Sequence, residues 1–268
     1  MCALTLGRPL GVVDSDCDVE LPVDVDDDKL PEYFALGAQV SRRQLTLMAG
    51  TNALTGLYKI AGRVLQEVYA LDFCKDHLML EKIAELQRSV ESIDKELTKW
   101  YDDLPVEFKS EQVDGKQHSM SAILFAHYNS IRTTLHRRTF LLFGGSISSK
   151  STTQAIFSAR SFVRLARLIN DDIRRSRYII PFSHHLAFFV QHLFSSAVII
   201  LFEAVLMPNS KAASTTMEEG RSCLSDLESW EVYWPGARRC RELLTDLTAI
   251  ADDVIKVAAS GIDSSGVP

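Results

Sequence analysis

Hydrophobic positions recur along this chain at helical spacing. The clearest stretch is residues 76–101, where apolar side chains follow one another at alternating steps of four and three. This alternation places them on one face of a helix, with the charged residues off that face. The pattern predicts a long amphipathic helix that ends before Pro105 and packs against the helix preceding it. Its apolar seam consists of Met79, Ile83, Leu86, Val90, Ile93, Leu97 and Trp100.

Six further stretches have a helical period, and no strand pattern or internal repeat competes with them. The chain has only 13 glycines and 8 prolines, which leaves room for long helices. The sequence therefore predicts an all-α fold, an irregular domain of about seven helices. The six stretches are residues 42–72, 119–142, 151–177, 183–206, 214–231 and 235–258.

The two ends of the chain differ from this helical body. Eight carboxylates and no basic residue lie between Asp14 and Asp28, and Pro9, Pro22 and Pro31 interrupt the same region. Residues 1–32 are therefore predicted to be an extended acidic segment laid across the surface of the body. Residues 33–259 form the helical domain, and the Gly/Ser-rich residues 260–268 form a disordered tail.

The stretch Leu186–Leu206 is apolar enough to raise the question of a membrane. Five polar residues interrupt it, and a carboxylate in mid-membrane is costly. The pattern favours a central buried helix over a membrane span. The five residues are Gln191, His192, Ser195, Ser196 and Glu203.

The net charge and the use of cysteine limit the classes of function that this chain is expected to have. The 268 residues carry a net charge of −6, and their basic clusters are short. Proteins that bind DNA need clustered Lys and Arg to displace counterions from phosphates, so this chain is not expected to bind DNA itself. Five scattered cysteines and no signal peptide indicate reduced thiols in the cytosol or nucleus.

Several acidic patterns resemble metal sites but lack some of the residues that such sites require. Asp14, Asp16 and Asp18 open like a calcium loop, but Val19 and Val25 stand where that loop needs Gly and Glu. The pairs Asp171-Asp172 and Asp252-Asp253 imitate the magnesium sites of all-α isoprenoid enzymes. They lack the additional carboxylate that would complete such a site.

Histidines and glycine-rich motifs do not supply a reaction centre either. His184, His185 and His192 lack the spacing of a zinc site. The sequence has no phosphate-binding loop and no nucleophile elbow. We therefore expect no catalytic residues, metal ligands or cofactor, and the isoprenoid enzyme stays as a second alternative.

The N-terminal segment carries a recognisable order of motifs. A Leu-Gly-Arg-Pro turn is followed by acidic residues and then by the string Asp-Val-Glu-Leu-Pro. This order resembles the middle homology region of fungal zinc-cluster transcription factors. The matching residues are Leu6, Gly7, Arg8, Pro9, Asp14, Asp16, Asp18, Glu20, Leu21 and Pro22.

Later motifs extend the resemblance over nearly the whole chain. Trp100 followed by Leu104-Pro105 is similar to a helix end of that family, and His136-Arg137 is similar to another of its helices. Trp234 opens a stretch that resembles its closing helix. That helix continues with spaced leucines, which here are Leu243, Leu244 and Leu247.

The resemblance implies a nuclear regulatory domain that controls an attached DNA-binding module. In the family, zinc is held by a six-cysteine cluster far upstream, and these 268 residues contain no such cluster. We therefore expect a truncated factor that acts through protein partners or a related full-length factor, with DNA reached only through another module. Separation from that module would also permit a cytoplasmic location. Helix faces left exposed by the absent half are expected to bind partners.

Two local hypotheses accompany this interpretation. Arg8, held on a Gly-Pro turn, is expected to pair with Asp14, Asp16 or Asp18 and so fix the acidic loop. The alternative to a purely protein-binding domain is a sensor with a small-molecule effector pocket between helices. The candidate lining of that pocket is Phe188, Phe189, Phe194 and Phe202.

Overall fold

A computed structural model describes residues 3–4, 9–12, 16–36, 45–70, 80–109, 116–142, 150–175 and 186–263. These residues form eight α-helices and no strand, so the all-α prediction is confirmed. The helices are α1 (Leu30–Leu36), α2 (Leu47–Arg63), α3 (Leu80–Asp103), α4 (Lys116–Leu142), α5 (Lys150–Arg174), α6 (Leu186–Leu206), α7 (Ala213–Trp230) and α8 (Gly236–Asp263).

The predicted stretches and the observed helices agree closely. α3 ends at Asp103, just before Pro105 as expected, and α4 continues without a break through Arg138. The additional helix is α1, which begins at Leu30 inside the segment predicted to be extended. Pro31 at its second residue is compatible with this, since the first-turn amides of a helix have no partner in the helix. A π-helical turn, Val64–Val68, continues α2.

The chain divides into two compact units. Unit 1 comprises Met1–Ile131 with Arg175–Ile180, and unit 2 comprises Arg132–Arg174 with Pro181–Pro268. In unit 1 the described seam residues of α3 are buried or half-buried, with Leu86, Ile93 and Leu97 fully inaccessible, and Met79 lies outside the described residues. The seam packs against α2 and its π-helical turn. A second apolar cluster joins Leu104, Phe108 and Leu124.

Unit 2 is built around α6, which contacts α5, α7 and α8. Three side-chain pairs join α5 to α7 at the same sequence offset of 59: Arg160 with Glu219, Arg167 with Asp226, and Asn170 with Ser229. A constant offset means that the two helices run parallel.

The neighbouring helices run the other way. Phe189 near the start of α6 meets Trp230 at the end of α7, and Leu201 near the end of α6 meets Gly220 in the middle of α7. α6 is therefore antiparallel to α7, and the order is that of an up-down helix bundle.

α6 is long and apolar enough to cross a membrane by length and composition. Its environment is that of a core helix, because it packs against three other helices and Leu193 and Ala197 are fully buried. Packing on α7 is especially close at Gly220, where an added Cβ would lie 2.3 Å from a Leu201 methyl carbon. Glycine at this position lets the two helices approach.

Candidate functional site

The acidic motif segment lies along α2. A methyl carbon of Leu10 lies 3.6 Å from the place that a Cβ of Gly62 would occupy, near the end of that helix. The Pro22 carbonyl accepts a hydrogen bond of 2.9 Å from the Asn52 side chain. At the start of α2, Thr46 donates its hydroxyl proton to Asp24. The described part of the segment therefore follows α2 in the opposite direction.

The acidic residues at the end of this segment cap α2. The Leu47 amide donates to Asp26 Oδ1 at 2.8 Å, and the Ala49 amide donates to the Thr46 hydroxyl at 2.8 Å. The first amides of a helix have no partner within the helix, and their partial positive charge attracts carboxylates. Val25, between Asp24 and Asp26, is buried and anchors the segment. The acidic string thus has an identifiable structural role in unit 1.

The Trp100 motif joins three helices of unit 1. Its indole N–H donates to the Ala53 carbonyl of α2 at 2.9 Å. The same ring stacks on Tyr128 of α4, with centroids 5.7 Å apart and planes 16° from parallel. Leu104 is buried in the cluster around Phe108, and Pro105 follows it. This motif therefore positions α2, α3 and α4.

A cleft of about 700 Å³ opens beside the capped end of α2. Three carboxylates, three apolar side chains, Thr51 and Gln117 of α4 line it. Gln117 donates its amide to the Leu45 carbonyl at 2.7 Å, which fixes the chain entering α2. The lining residues are Asp26, Asp27, Asp28, Leu45, Leu47, Met48, Thr51 and Gln117.

Other motif residues lie apart from this cleft or outside the described residues. Leu6, Gly7, Arg8 and Asp14 are outside them, so the expected pairing of Arg8 stays a prediction. Trp234 is partly exposed at the turn before α8. The exposed members of the acidic motif are Pro9, Asp16, Asp18, Glu20, Leu21 and Pro22.

α4 places its motif histidine in the interior of unit 2. His136 is buried, its Nδ1 lies 3.2 Å from the Ser151 hydroxyl, and half-buried Arg137 follows it. Burial lowers the pKa of His192 on α6 to about 3, and the positive charge of Arg137 adds to the effect. His184 and His185 lie outside the described residues.

The four phenylalanines proposed to line an effector pocket have different environments. Phe188 and Phe189 are buried, and Phe189 packs against Phe162 and Trp230 with centroids 5.2 and 4.8 Å apart. Phe194 and Phe202 are half-buried. The first two therefore belong to the aromatic core of unit 2, and the pocket stays a prediction.

Among the described residues, no group of three or more His, Cys, Asp or Glu side chains is placed to hold a metal ion. Asp252 accepts a hydrogen bond from Arg221, and Asp253 is exposed near Lys256. Burial raises the pKa of the Cys223 thiol to about 12, so this cysteine is uncharged at neutral pH. Burial also raises the pKa of Glu203, although Arg160 opposes the shift.

Several residues that organise unit 1 were not recognised in the sequence. Val25, Asn52, Phe108 and Gln117 anchor or join segments that lie up to 72 residues apart. Gln117 and Asn52 have no local signature, since their partners are distant backbone carbonyls. Phe108 had a signal, because aromatic side chains contribute large apolar surfaces to protein cores.

Comparison with known families confirms part of the resemblance. Residues 1–102 match the model of the fungal specific transcription factor domain. The matched stretch contains the acidic segment, α1, α2 and nearly all of α3, and it supports a role in transcription regulation. The motifs beyond residue 102 stay predictions. No curated protein and no solved structure matches the chain.

Proposed function

Because residues 1–102 match a fungal specific transcription factor domain, we propose that this chain regulates transcription through contacts with other proteins and does not itself bind DNA. The family match is the observation that carries the proposal. The packing agrees with it, since the motif residue Trp100 and Asp26, which follows the acidic motif, position helices. Such residues build a scaffold that presents a surface, and the proposal assigns them no reaction.

Electrostatics support the part of the proposal that concerns DNA. The net charge of −6 opposes binding to phosphates. Several arginines are also engaged by carboxylates of the same unit, as Arg160 is by Glu203 and Glu219. A protein of this kind would work in the nucleus and reach promoters through another module.

A tethering experiment tests the proposal. The full chain, fused to a heterologous DNA-binding module, is placed on a minimal promoter and on an activated promoter in a fungal host. We expect reporter output to change at one of the two promoters. Trp230→Ala, which removes a buried anchor of unit 2, should abolish the change. An unchanged output at both promoters, with the fusion present in the nucleus, would refute the proposal.

A mobility-shift experiment addresses DNA binding directly. The unfused chain should leave a duplex unshifted at physiological salt. A shift whose strength falls steeply with added salt would show phosphate contacts and contradict this part of the proposal.

The cleft in unit 1 favours a second candidate function, the sensing of a small molecule. Its volume of about 700 Å³ lies within the range of ligand sites. A panel of small aliphatic and aromatic acids, alcohols and amines would be screened by thermal shift. We expect any ligand of the cleft to raise Tm for the natural chain and less for Thr51→Trp, whose larger side chain occupies part of the cleft. Thr245→Trp, at an exposed site on α8, is the control, and equal shifts in all three proteins would exclude the cleft.

A further inference from the structure

Thr46 joins the acidic segment to the start of α2 through a single hydroxyl group. The hydroxyl donates its proton to Asp24, 22 residues earlier in the chain, and its oxygen accepts the Ala49 amide proton at 2.8 Å. Thr46 is the N-cap residue of α2, with an extended backbone at φ −90° and ψ 155°. Thr46 therefore caps the helix and holds Asp24 at the same time, and the bond to Asp24 depends on the hydroxyl proton.

Negative charge is already concentrated at this end of α2. Asp26 accepts the Leu47 amide proton at 2.8 Å, and Asp27 and Asp28 come directly after it. The next residue, Lys29, is paired with Glu32 at 3.6 Å. The helix end accommodates carboxylates because its first amides carry a partial positive charge. A further anion at Thr46 would have the Asp24 carboxylate as its direct neighbour.

The sequence before Thr46 indicates a phosphate acceptor. Arg43 precedes it by three residues, and no other Ser or Thr of the 268 residues has an arginine at that distance. Protein kinases select substrates by patterns of charge around the acceptor, and a basic residue before it binds acidic groups of the kinase. Arg43 lies outside the described residues, and its contribution depends on sequence position alone. The sequence therefore singles out the same threonine that holds the acidic segment.

A phosphate on Thr46 would replace the bond to Asp24 with a repulsion. Phosphothreonine has no hydroxyl proton to donate, and it carries a charge of about −1.5 to −2 at neutral pH. The start of a helix also binds phosphate, so the new group competes with Asp26 for the Leu47 amide. α2 would keep a cap, whereas the acidic segment would lose both of these contacts.

We propose that Thr46 is phosphorylated by an arginine-directed protein kinase and that the phosphate displaces Asp24 and Asp26 from the start of α2. In this step the Thr46 hydroxyl oxygen attacks the γ-phosphorus of ATP. A new O–P bond forms while the bond from that phosphorus to the oxygen of ADP breaks, ADP leaves, and the hydroxyl proton passes to the catalytic base of the kinase. The site adds a regulatory input to the chain, and it stands independently of the proposed function.

A labelling experiment tests the acceptor. The folded full chain is incubated with ATP and a calmodulin-dependent protein kinase, which selects arginine three residues before the acceptor, and the modified residue is identified by mass spectrometry. We expect phosphate on Thr46, and Arg43→Ala should lower its rate of incorporation at least about tenfold. Thr51→Ala, at the next threonine along the chain, is the control and should leave that rate unchanged. No phosphate on Thr46 in the natural chain, or equal incorporation in Arg43→Ala, would overturn the proposal.

Hydrogen exchange measured by mass spectrometry tests the displacement. Residues 18–28 should exchange at least about tenfold faster in the phosphorylated chain, because Val25, which is buried, is then released with the segment. The amides of α2 from Gly50 onward should keep their protection, since the phosphate still caps the helix. Unchanged exchange in residues 18–28, or a loss of protection along α2 as well, would contradict the proposal.

Two substitutions of equal size separate the effect of charge from the loss of threonine. Aspartate and asparagine both cap helices, but only asparagine can donate a proton to Asp24. Thr46→Asp should therefore speed the exchange of residues 18–28, as the phosphate does, and Thr46→Asn should not. Equal exchange in these two variants would show that charge at position 46 does not control the acidic segment, and the proposal would fail.

A substitution at the partner residue completes the test. In the phosphorylated Asp24→Asn chain, the asparagine amide can donate to the phosphate in place of the lost repulsion. This variant should exchange residues 18–28 more slowly than the phosphorylated natural chain. If phosphorylation releases the segment equally in both, repulsion from Asp24 is not the cause, and the proposed displacement is wrong.

Discussion

Different kinds of polar contact join the segments within each of the two compact units. In unit 1, several long-range contacts join a side chain to irregular backbone, as Gln117 does to Leu45 and Asn52 to Pro22, beside side-chain pairs such as Arg63 with Glu96. In unit 2, the contacts between helices are mainly side chain to side chain, as Arg167 makes with Asp226. The difference follows from how regular the backbone is in each unit. Irregular backbone has unsatisfied amides and carbonyls that need partners, whereas the backbone of a long helix satisfies its own.

The stability of unit 2 should therefore depend most on apolar burial. Trp230 is almost completely buried and packs on Phe189 with centroids 4.8 Å apart. We expect Trp230→Ala to lower the free energy of unfolding by about 3–5 kcal/mol in guanidinium titrations. Trp234→Ala, at a partly exposed tryptophan of the same unit, is the control and should cost less than about 1 kcal/mol. Equal losses of stability in the two variants would show that apolar burial does not dominate the stability of unit 2.

Acid should weaken unit 2 through His192. Its pKa is about 3 in the folded protein, against about 6.5 in an unfolded chain. Between these values only the unfolded state binds the proton. The free energy of unfolding therefore decreases by about 1.4 kcal/mol for each unit by which the pH is lowered, and it is about 2 kcal/mol smaller at pH 5 than at pH 7. His192→Gln should remove this part of the slope, measured as urea unfolding at pH 7 and pH 5.

The same titration has an internal check. His118→Gln, in unit 1, leaves His192 in place and should keep the slope. Glu203 and Asp226 have pKa values raised by burial, which acts in the opposite direction, so the difference between variant and natural chain is the informative quantity. Identical slopes with and without His192 would contradict the prediction.

Two helical glycines sharpen the comparison of packing between the units. An added methyl at Gly220 in unit 2 would overlap Leu201, whereas at Gly56 in unit 1 its nearest neighbour is Trp100 at 3.9 Å. We expect Gly220→Ala to destabilise by about 1–2 kcal/mol through overpacking. Gly56→Ala should stabilise by about 0.5–1 kcal/mol through helix propensity. Thermal unfolding of the pair checks the sign, and stabilisation by both would mean that α6 and α7 separate readily.

The smallest expected effect concerns the acidic cap of unit 1. Asp26→Ala leaves the Leu47 amide without its carboxylate partner and should cost about 1 kcal/mol. Asp28→Ala removes an equal charge from the same segment and is expected to be close to neutral. If both variants lose the same stability, the effect is one of net charge and the cap contributes little.

The helical elements were predictable because their signals are local. The 4–3 spacing of Leu86, Val90 and Ile93 identifies an apolar face of a helix. The cap of α2 was not predictable, since Asp26 and Leu47 are 21 residues apart and only the fold brings them together. The expected pairing of Arg8 with Asp14, Asp16 or Asp18 stays a prediction, because Arg8 and Asp14 lie outside the described residues. Asp24 and Asp26, at the end of the acidic string, bind the start of α2.

α8 shows most clearly where the sequence stops and the tertiary structure decides. By itself, the sequence predicted a helix over residues 235–258 with leucines at positions 243, 244 and 247. It could not determine which of these leucines is buried, because a helix can turn either face toward its neighbours. That choice depends on where α6 and α7 lie, and packing against them buries Leu244 and leaves Leu243 and Leu247 exposed.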